Sequence, residues 1–206
     1  MNRTLDYYNE NAKTFAEATR DVKFDHMQNL FACAVRDSFP QVLQPCVLDF
    51  GCGSGRDAKY FVEQGFLVDA IDGSEKMVEV ATEFSSVPVQ HMDFMDFTYV
   101  DKYHGIWACA SLLHLEKEKL PEILQRLVLG LVDGGVLYAS FKYGDFNGYR
   151  QGRHFTDLNE TGYQQITENL TGFRTEKVWI TGDARPGREN EKWLNLLIRK
   201  VTEGEE

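Results

Sequence analysis

The chain is short of the residues that build disulfide frameworks and zinc sites. Its four cysteines, Cys33, Cys46, Cys52 and Cys109, are scattered, with no CxxC pair and no Cys/His cluster at metal spacing. Reduced, mostly buried thiols and no metal ligands are therefore expected. Long apolar runs are missing too: none approaches the roughly 18 residues of a membrane-spanning helix. The opening MNRTLDYYNENAK lacks the apolar core of a secretion signal, so the expectation is a cytoplasmic protein without a membrane partner. Positive charge is scarce, with 22 Lys and Arg against 32 Asp and Glu and a formal net charge of −10. A chain of that sign repels phosphate backbones, which disfavours nucleic acid. No internal repeat, low-complexity tract or linker rich in Pro, Gly or Ser divides the sequence.

What is present fits one domain over 1–206: at 206 residues and 43% hydrophobic content, the chain can bury a single core and is too short for two ordinary ones. β-type runs at Cys46–Phe50, Phe66–Ile71, Val87–Met92, Tyr103–Ala108 and Gly135–Phe141 alternate with helical patterns at Arg56–Gln64, Ser74–Phe84 and Lys117–Val132. That alternation predicts an α/β fold, a doubly wound, mostly parallel sheet with helices on both faces. Two helices, near Asp6–Thr19 and Phe24–Phe39, precede it as an N-terminal cap over 1–40, ahead of a core at 45–142. After the fifth strand a polar, glycine-containing loop is expected, then a helix near Asn159–Leu170. β-type runs at Arg174–Ile180 and Trp193–Ile198 close the chain as a hairpin.

The stretch VLDFGCGSGRDAKYF, Val47 to Phe61, sets Gly51, Gly53 and Gly55 between the first strand and a helix. Glycine there lets the backbone turn tightly and approach a ligand with no Cβ in the way, beside the unpaired N–H groups of a helix start. The second strand ends at Asp72 in VDAIDGS, 19 residues after Gly53, where an acidic side chain can bind both hydroxyls of a ribose. Together these point to an adenosine-bearing cofactor. The dinucleotide pattern G-x-G-x-x-G would need glycine at position 56, which holds Arg56. Taken alone, the loop also fits a plain strand-to-helix turn.

Five stretches at successive strand ends, VLDFGCGSGRDA, VDAIDGSEKMVEVA, VQHMDFMDF, GIWACASLLHL and LVDGGVLYASF, together resemble the class I S-adenosylmethionine-dependent methyltransferases, in particular the small bacterial methyltransferase-domain and tellurite-resistance-type group. The resemblance implies a seven-stranded Rossmann-like sheet whose last strand is antiparallel, and S-adenosylmethionine as cofactor. It implies that Asp49, Gly51, Cys52, Gly53 and Gly55 line the methionine half, while Asp72, beside Gly73, binds the ribose. By the same resemblance Asp93 takes the adenine amine, Phe94 a ring nitrogen through its backbone N–H, and Met77 and Phe94 flank the base. Ala108 and Ala110 form a small-residue floor under the transferring methyl. For Asp49 the alternative is capping the helix start. His114 is placed beside the cofactor or the acceptor, as a base or as packing, and Tyr8, next to Tyr7, as a closing lid residue or a plain core contact.

The late loops Lys142–Leu158 and Thr181–Trp193 hold Arg150, Arg153, Arg185 and Arg188 with Tyr143, Phe155 and Trp193. Guanidinium forks among aromatics suit an anionic small molecule, with Tyr143, Arg153, Arg185 and Trp193 as acceptor-binding candidates; ordinary pairing with nearby carboxylates is the other reading. The expected activity is methyl transfer to a small-molecule acceptor by a monomer or homodimer. A noncatalytic sensor of the cofactor or its product, and a nicotinamide-dependent oxidoreductase, are the alternatives.

Overall fold

A computed structural model describes residues 3–202. Helix α1 (Arg3–Thr19) and helix α2 (Asp25–Ser38) come first. The core then runs β1 (Cys46–Phe50), α3 (Arg56–Glu63), β2 (Leu67–Asp72), α4 (Glu75–Ser85), β3 (Val89–His91), β4 (Tyr103–Ala108), α5 (Leu120–Gly130) and β5 (Leu131–Lys142). The remainder is β6 (Asn147–Arg150), β7 (Arg153–Thr156), α6 (Glu160–Thr167), β8 (Phe173–Gly182) and β9 (Lys192–Lys200). Seven strands form one sheet in the order β3-β2-β1-β4-β5-β9-β8. β1 to β5 are parallel, and β9 runs antiparallel between β5 and β8.

Alternate residues of the central strands feed two cores, because successive side chains point to opposite faces. Leu48, Phe50, Ile106 and Leu137 pack with Leu120, Ile123, Leu124 and Leu127 of α5. Val47, Trp107, Val136 and Tyr138 pack with Met27, Phe31 and Val35 of α2 and Phe61 of α3, and the Trp107 and Tyr138 rings stack at 4.1 Å. A sheet buried on both faces needs the near-continuous apolar runs these strands carry. Helix starts are fastened locally: Ser74 accepts from the Met77 N–H at the head of α4, and Asn159 from the Gly162 N–H at the head of α6.

Two segments differ from the sequence reading. The helix expected over Lys117–Val132 is a 3₁₀ turn at Lys117–Lys119 followed by α5, with Pro121 in its first turn, and β5 begins directly after it. The expected polar loop after β5 contains the β6–β7 hairpin, paired from Asn147↔Thr156 to Arg150↔Arg153. Its two-residue turn places Gln151 at φ 52° and Gly152 at φ 82°, the doubly left-handed backbone of a tight hairpin.

Candidate active site

A cavity of about 630 Å³ opens at the carboxyl ends of β1, β2 and β4 and extends beneath α1, the β6–β7 hairpin and the β8–β9 loop. That edge of an open α/β sheet is where strand order reverses and ligands settle.

The glycine loop forms one wall. Gly51 and Gly53 take φ of 79° and 53°, and a Cβ at Gly51 would lie 2.8 Å from the Phe94 ring and 2.6 Å from Ser111 Cβ. Gly55, also left-handed at φ 78°, lies off the cavity, packed against the Ala81 carbonyl of α4. The Gly53 N–H donates to Asp72 Oδ2 at 3.0 Å, and the Ser74 N–H donates to Oδ1 at 2.8 Å. The carboxylate is thereby fixed at the cavity wall with a lone pair left on each oxygen. Burial raises its pKa, and these amides pull it back. Cys52, Gly73, Met77 and Phe94 line the same half.

Other site candidates sit differently. Asp49 lies beneath the loop, 2% exposed, and is not a cavity residue. It takes the Ala58 N–H at the start of α3, while Oδ2 has no partner among the described residues. Burial, then repulsion from Asp57, pushes its pKa well above the usual carboxylate range. Asp93 is exposed, outside the cavity, and accepts the Met95 N–H as the cap of a short 3₁₀ turn; this geometry leaves its second oxygen free. Ala108 is buried behind the wall, whereas Cys109 and Ala110 reach it. Ala110 is held at φ 53° by its N–H donating to Ser140 Oγ at 2.9 Å, a strained backbone of the sort that collects at functional sites. Next to it, Ser111 Oγ is buried without a hydrogen-bond partner among the described residues.

Sequence reasoning missed the Arg56–Asp57 clamp in this wall. Asp57 accepts from Arg56 Nε and Nη2 (2.7 and 2.9 Å), from Gln28 Nε2 (2.6 Å) and from Trp107 Nε1 (2.9 Å). Burial raises the Asp57 pKa, but Arg56 and these donors outweigh it and leave it lowered. Only the arginine at the position where a dinucleotide loop has glycine marked the spot; Gln28 and Trp107 come from distant elements.

The far wall is built from side chains. His114 Nδ1 lies 2.7 Å from the His154 carbonyl, which can only accept, so Nδ1 carries the proton. Nε2 of the neutral ring must then accept, and it takes the Tyr8 hydroxyl at 2.8 Å. Arg153 Nη1 donates to the same Tyr8 oxygen at 3.3 Å. Burial lowers the His114 pKa to about 4, against the His154 bond, which raises it; burial also raises that of Tyr8. The relay is neutral at pH 7 apart from Arg153.

Five arginines line the cavity, and four are matched to carboxylates: Arg56 to Asp57, Arg150 to Asp157, Arg185 to Asp183 and Arg188 to Glu191. Arg185 grips Asp183 through Nε and Nη2, and Asp183 also accepts from Trp193 Nε1 at 3.0 Å. Burial opposes ionisation of Asp183, but these donors hold its pKa at about 2. Arg153 and Arg185 therefore share the cavity but are not two free charges. Tyr143 donates its hydroxyl to Glu160 at 3.0 Å, and Lys142 stands over the Trp193 ring.

Comparison with known proteins agrees with this geometry. Residues 47–135 match the family described as "Methyltransferase domain". The matched segment runs from β1 into β5, the parallel core of the sheet. An uncharacterized methyltransferase of Staphylococcus carnosus (strain TM300) is 28% identical over 134 residues, 60% of this chain and 65% of the relative; the matched part spans just under two thirds of that relative. Among solved structures, the 1,6-didemethyltoxoflavin-N1-methyltransferase of Burkholderia thailandensis, with 1,6-didemethyltoxoflavin and S-adenosylhomocysteine bound, aligns at a TM-score of 0.73 and 18% identity over 96% of this chain and 87% of that one. The magnesium protoporphyrin IX methyltransferase of Synechocystis PCC 6803, bound to S-adenosylhomocysteine, aligns at 0.69 and 20% over 95% and 97%. The [4+2]-cyclase SpnF aligns at 0.64 and 16% over 86% and 81%, so the fold by itself does not decide the reaction. No described helix is long and apolar enough to cross a membrane.

Proposed function

We propose that the chain transfers a methyl group from S-adenosylmethionine to a small-molecule acceptor seated between α1 and the β6–β7 hairpin. The supporting observation is the Asp72 carboxylate, fixed by the Gly53 and Ser74 amides on the same wall as Gly51 and Gly53. The residues present fit the cofactor: an oriented carboxylate for paired hydroxyls, aromatic and thioether surface at Phe94 and Met77 for a base, and the unpartnered Ser111 hydroxyl for a further polar group. S-adenosylmethionine supplies a methyl on a sulfonium, a good leaving group.

The chain's own residues then have to align the acceptor and exclude water. Tyr8 donates its hydroxyl hydrogen bond to His114 and accepts one from Arg153, so its oxygen has a lone pair left and no free O–H to offer. It is set to hold an acceptor N–H or O–H. His114, with a pKa near 4, is a weak base at pH 7 and acts as the residue that orients Tyr8. Trp193 and Tyr143 bound the acceptor space, and Met77 and Phe94 the base.

Calorimetry with S-adenosylhomocysteine and NAD, followed by a screen of small acceptors with labelled methyl donor, tests this reading. Micromolar binding of S-adenosylhomocysteine without NAD binding is expected, with label transferred to at least one acceptor. Binding of NAD alone would sink it, and tight product binding with a blank screen would favour the sensor reading.

A further inference from the structure

We infer that the acceptor is a monoanion whose planar oxyanion docks on the unpaired Nε–Nη2 edge of Arg153; this rests on the methyltransferase reading and names its substrate class. The inference comes from the charge pattern of the cavity. Arg56, Arg150 and Arg185 each face their own carboxylate, Arg188 shares Glu191 with Lys142, and Arg150 is further wedged between Phe146 and Phe155 at 4.8 and 4.3 Å. Arg153 has no carboxylate partner among the described residues. Its guanidinium lies 4.4 Å from the Tyr7 ring and 5.1 Å from the Phe155 ring. Nη1 is spent on Tyr8, Nη2 reaches only Gln151 at 3.5 Å, and Nε is buried with no partner.

A guanidinium held by aromatic rings, with an N–H group buried and unpaired, is costly unless a ligand completes it. The Nε and Nη2 edge is the two-pronged donor that matches a carboxylate. A polyanion is disfavoured, because Asp157, Asp183 and Glu191 line the same cavity and the other guanidinium groups already face carboxylates. One negative group, an apolar body against Phe155 and Trp193, and an N–H or O–H reaching Tyr8 describe the molecule that fits.

The test uses benzoate and its neutral isostere benzamide as probes, titrated by calorimetry into the full chain with and without S-adenosylhomocysteine, whose own binding is measured separately. Benzoate should bind about 10- to 100-fold more tightly than benzamide, the span of a charge-assisted hydrogen bond. Arg153→Gln should abolish that preference, Arg153→Lys should restore part of it, and Arg188→Ala should leave it intact. The wild-type comparison stands even where a variant fails to fold. Benzoate binding no more tightly than benzamide, or an unchanged preference in folded Arg153→Gln, overturns the inference. Neither result bears on the methyltransferase reading, which falls only with the product titration.

Discussion

The two halves of the cavity are built by different means. The cofactor half is backbone: glycines at positive φ, amides aimed at Asp72, strand ends whose positions the sheet dictates. The acceptor half is side-chain pairs on α1, the β6–β7 hairpin and the β8–β9 loop, elements outside the parallel core. Backbone architecture follows from the pattern of apolar residues and turns, so it carries over between distant relatives. Side-chain pairs change with single substitutions, and here they cancel most of the charge that the loops carry.

The sharpest way to separate the halves is Asp72→Ala. Loss of the carboxylate should weaken S-adenosylhomocysteine binding by about 2 to 4 kcal/mol, some 30- to 1000-fold, in calorimetry, while benzoate binding in the other half stays. Equal loss in both would show that the halves are one unit.

His114 provides the next test. Its folded pKa near 4 lies below the unfolded value of 6.5, so the unfolded chain binds the proton more readily between those values. The stability from the neutral ring is fully present above pH 6.5 and lost as pH falls toward 4, up to about 3 kcal/mol. Urea unfolding at pH 7.5 and pH 4.5 should show a smaller difference for His114→Gln than for wild type. Parallel pH profiles would mean that the imidazole does not titrate in this window.

Tyr8→Phe sharpens the comparison within the acceptor half. Removing the hydroxyl that joins His114 and Arg153 should lower kcat by about tenfold, near 1.4 kcal/mol, with S-adenosylhomocysteine affinity unmoved. A change confined to product affinity would place Tyr8 on the other side of the divide.

The smallest expected effect is in the hairpin turn. Gln151 sits at φ 52°, a conformation that asparagine tolerates better, so Gln151→Asn should stabilise by about 0.5 kcal/mol, or roughly 1 to 2 °C in Tm. A lower melting temperature would mean that the Gln151 side chain matters more than its backbone.

The same division explains what could be read beforehand. Apolar runs such as Cys46–Phe50 and Tyr103–Ala108 marked the parallel strands, and Gly51, Gly53 and Asp72 marked one wall of the cavity, because both depend on local pattern. The β6–β7 hairpin was hidden: Gln-Gly is a weaker turn signal than Asn-Gly, and its strands are only four residues each. Arg185 looked available because nothing in its residue type reveals that Asp183, two positions earlier, folds back onto it. Asp49 had two readings and Asp93 one, and the local bonds that hold them depend on exact loop geometry. The tautomer of His114 is legible only from the carbonyl it meets.

Helix α1 touches both halves. Leu5 lies where a Cβ on Gly73 would be, 2.9 Å away, Asn9 Oδ1 accepts from the Ser74 hydroxyl at the head of α4, and Tyr8 joins His114. With Thr4, Ala12 and Ala16 as its buried residues, the helix owes its seat to those few polar and edge contacts rather than to deep packing. Whatever fills one half changes the cost of seating α1 over the other, and thermodynamic linkage makes that influence equal in both directions. The two ligands are in this way acquainted through a single helix before any bond is made between them.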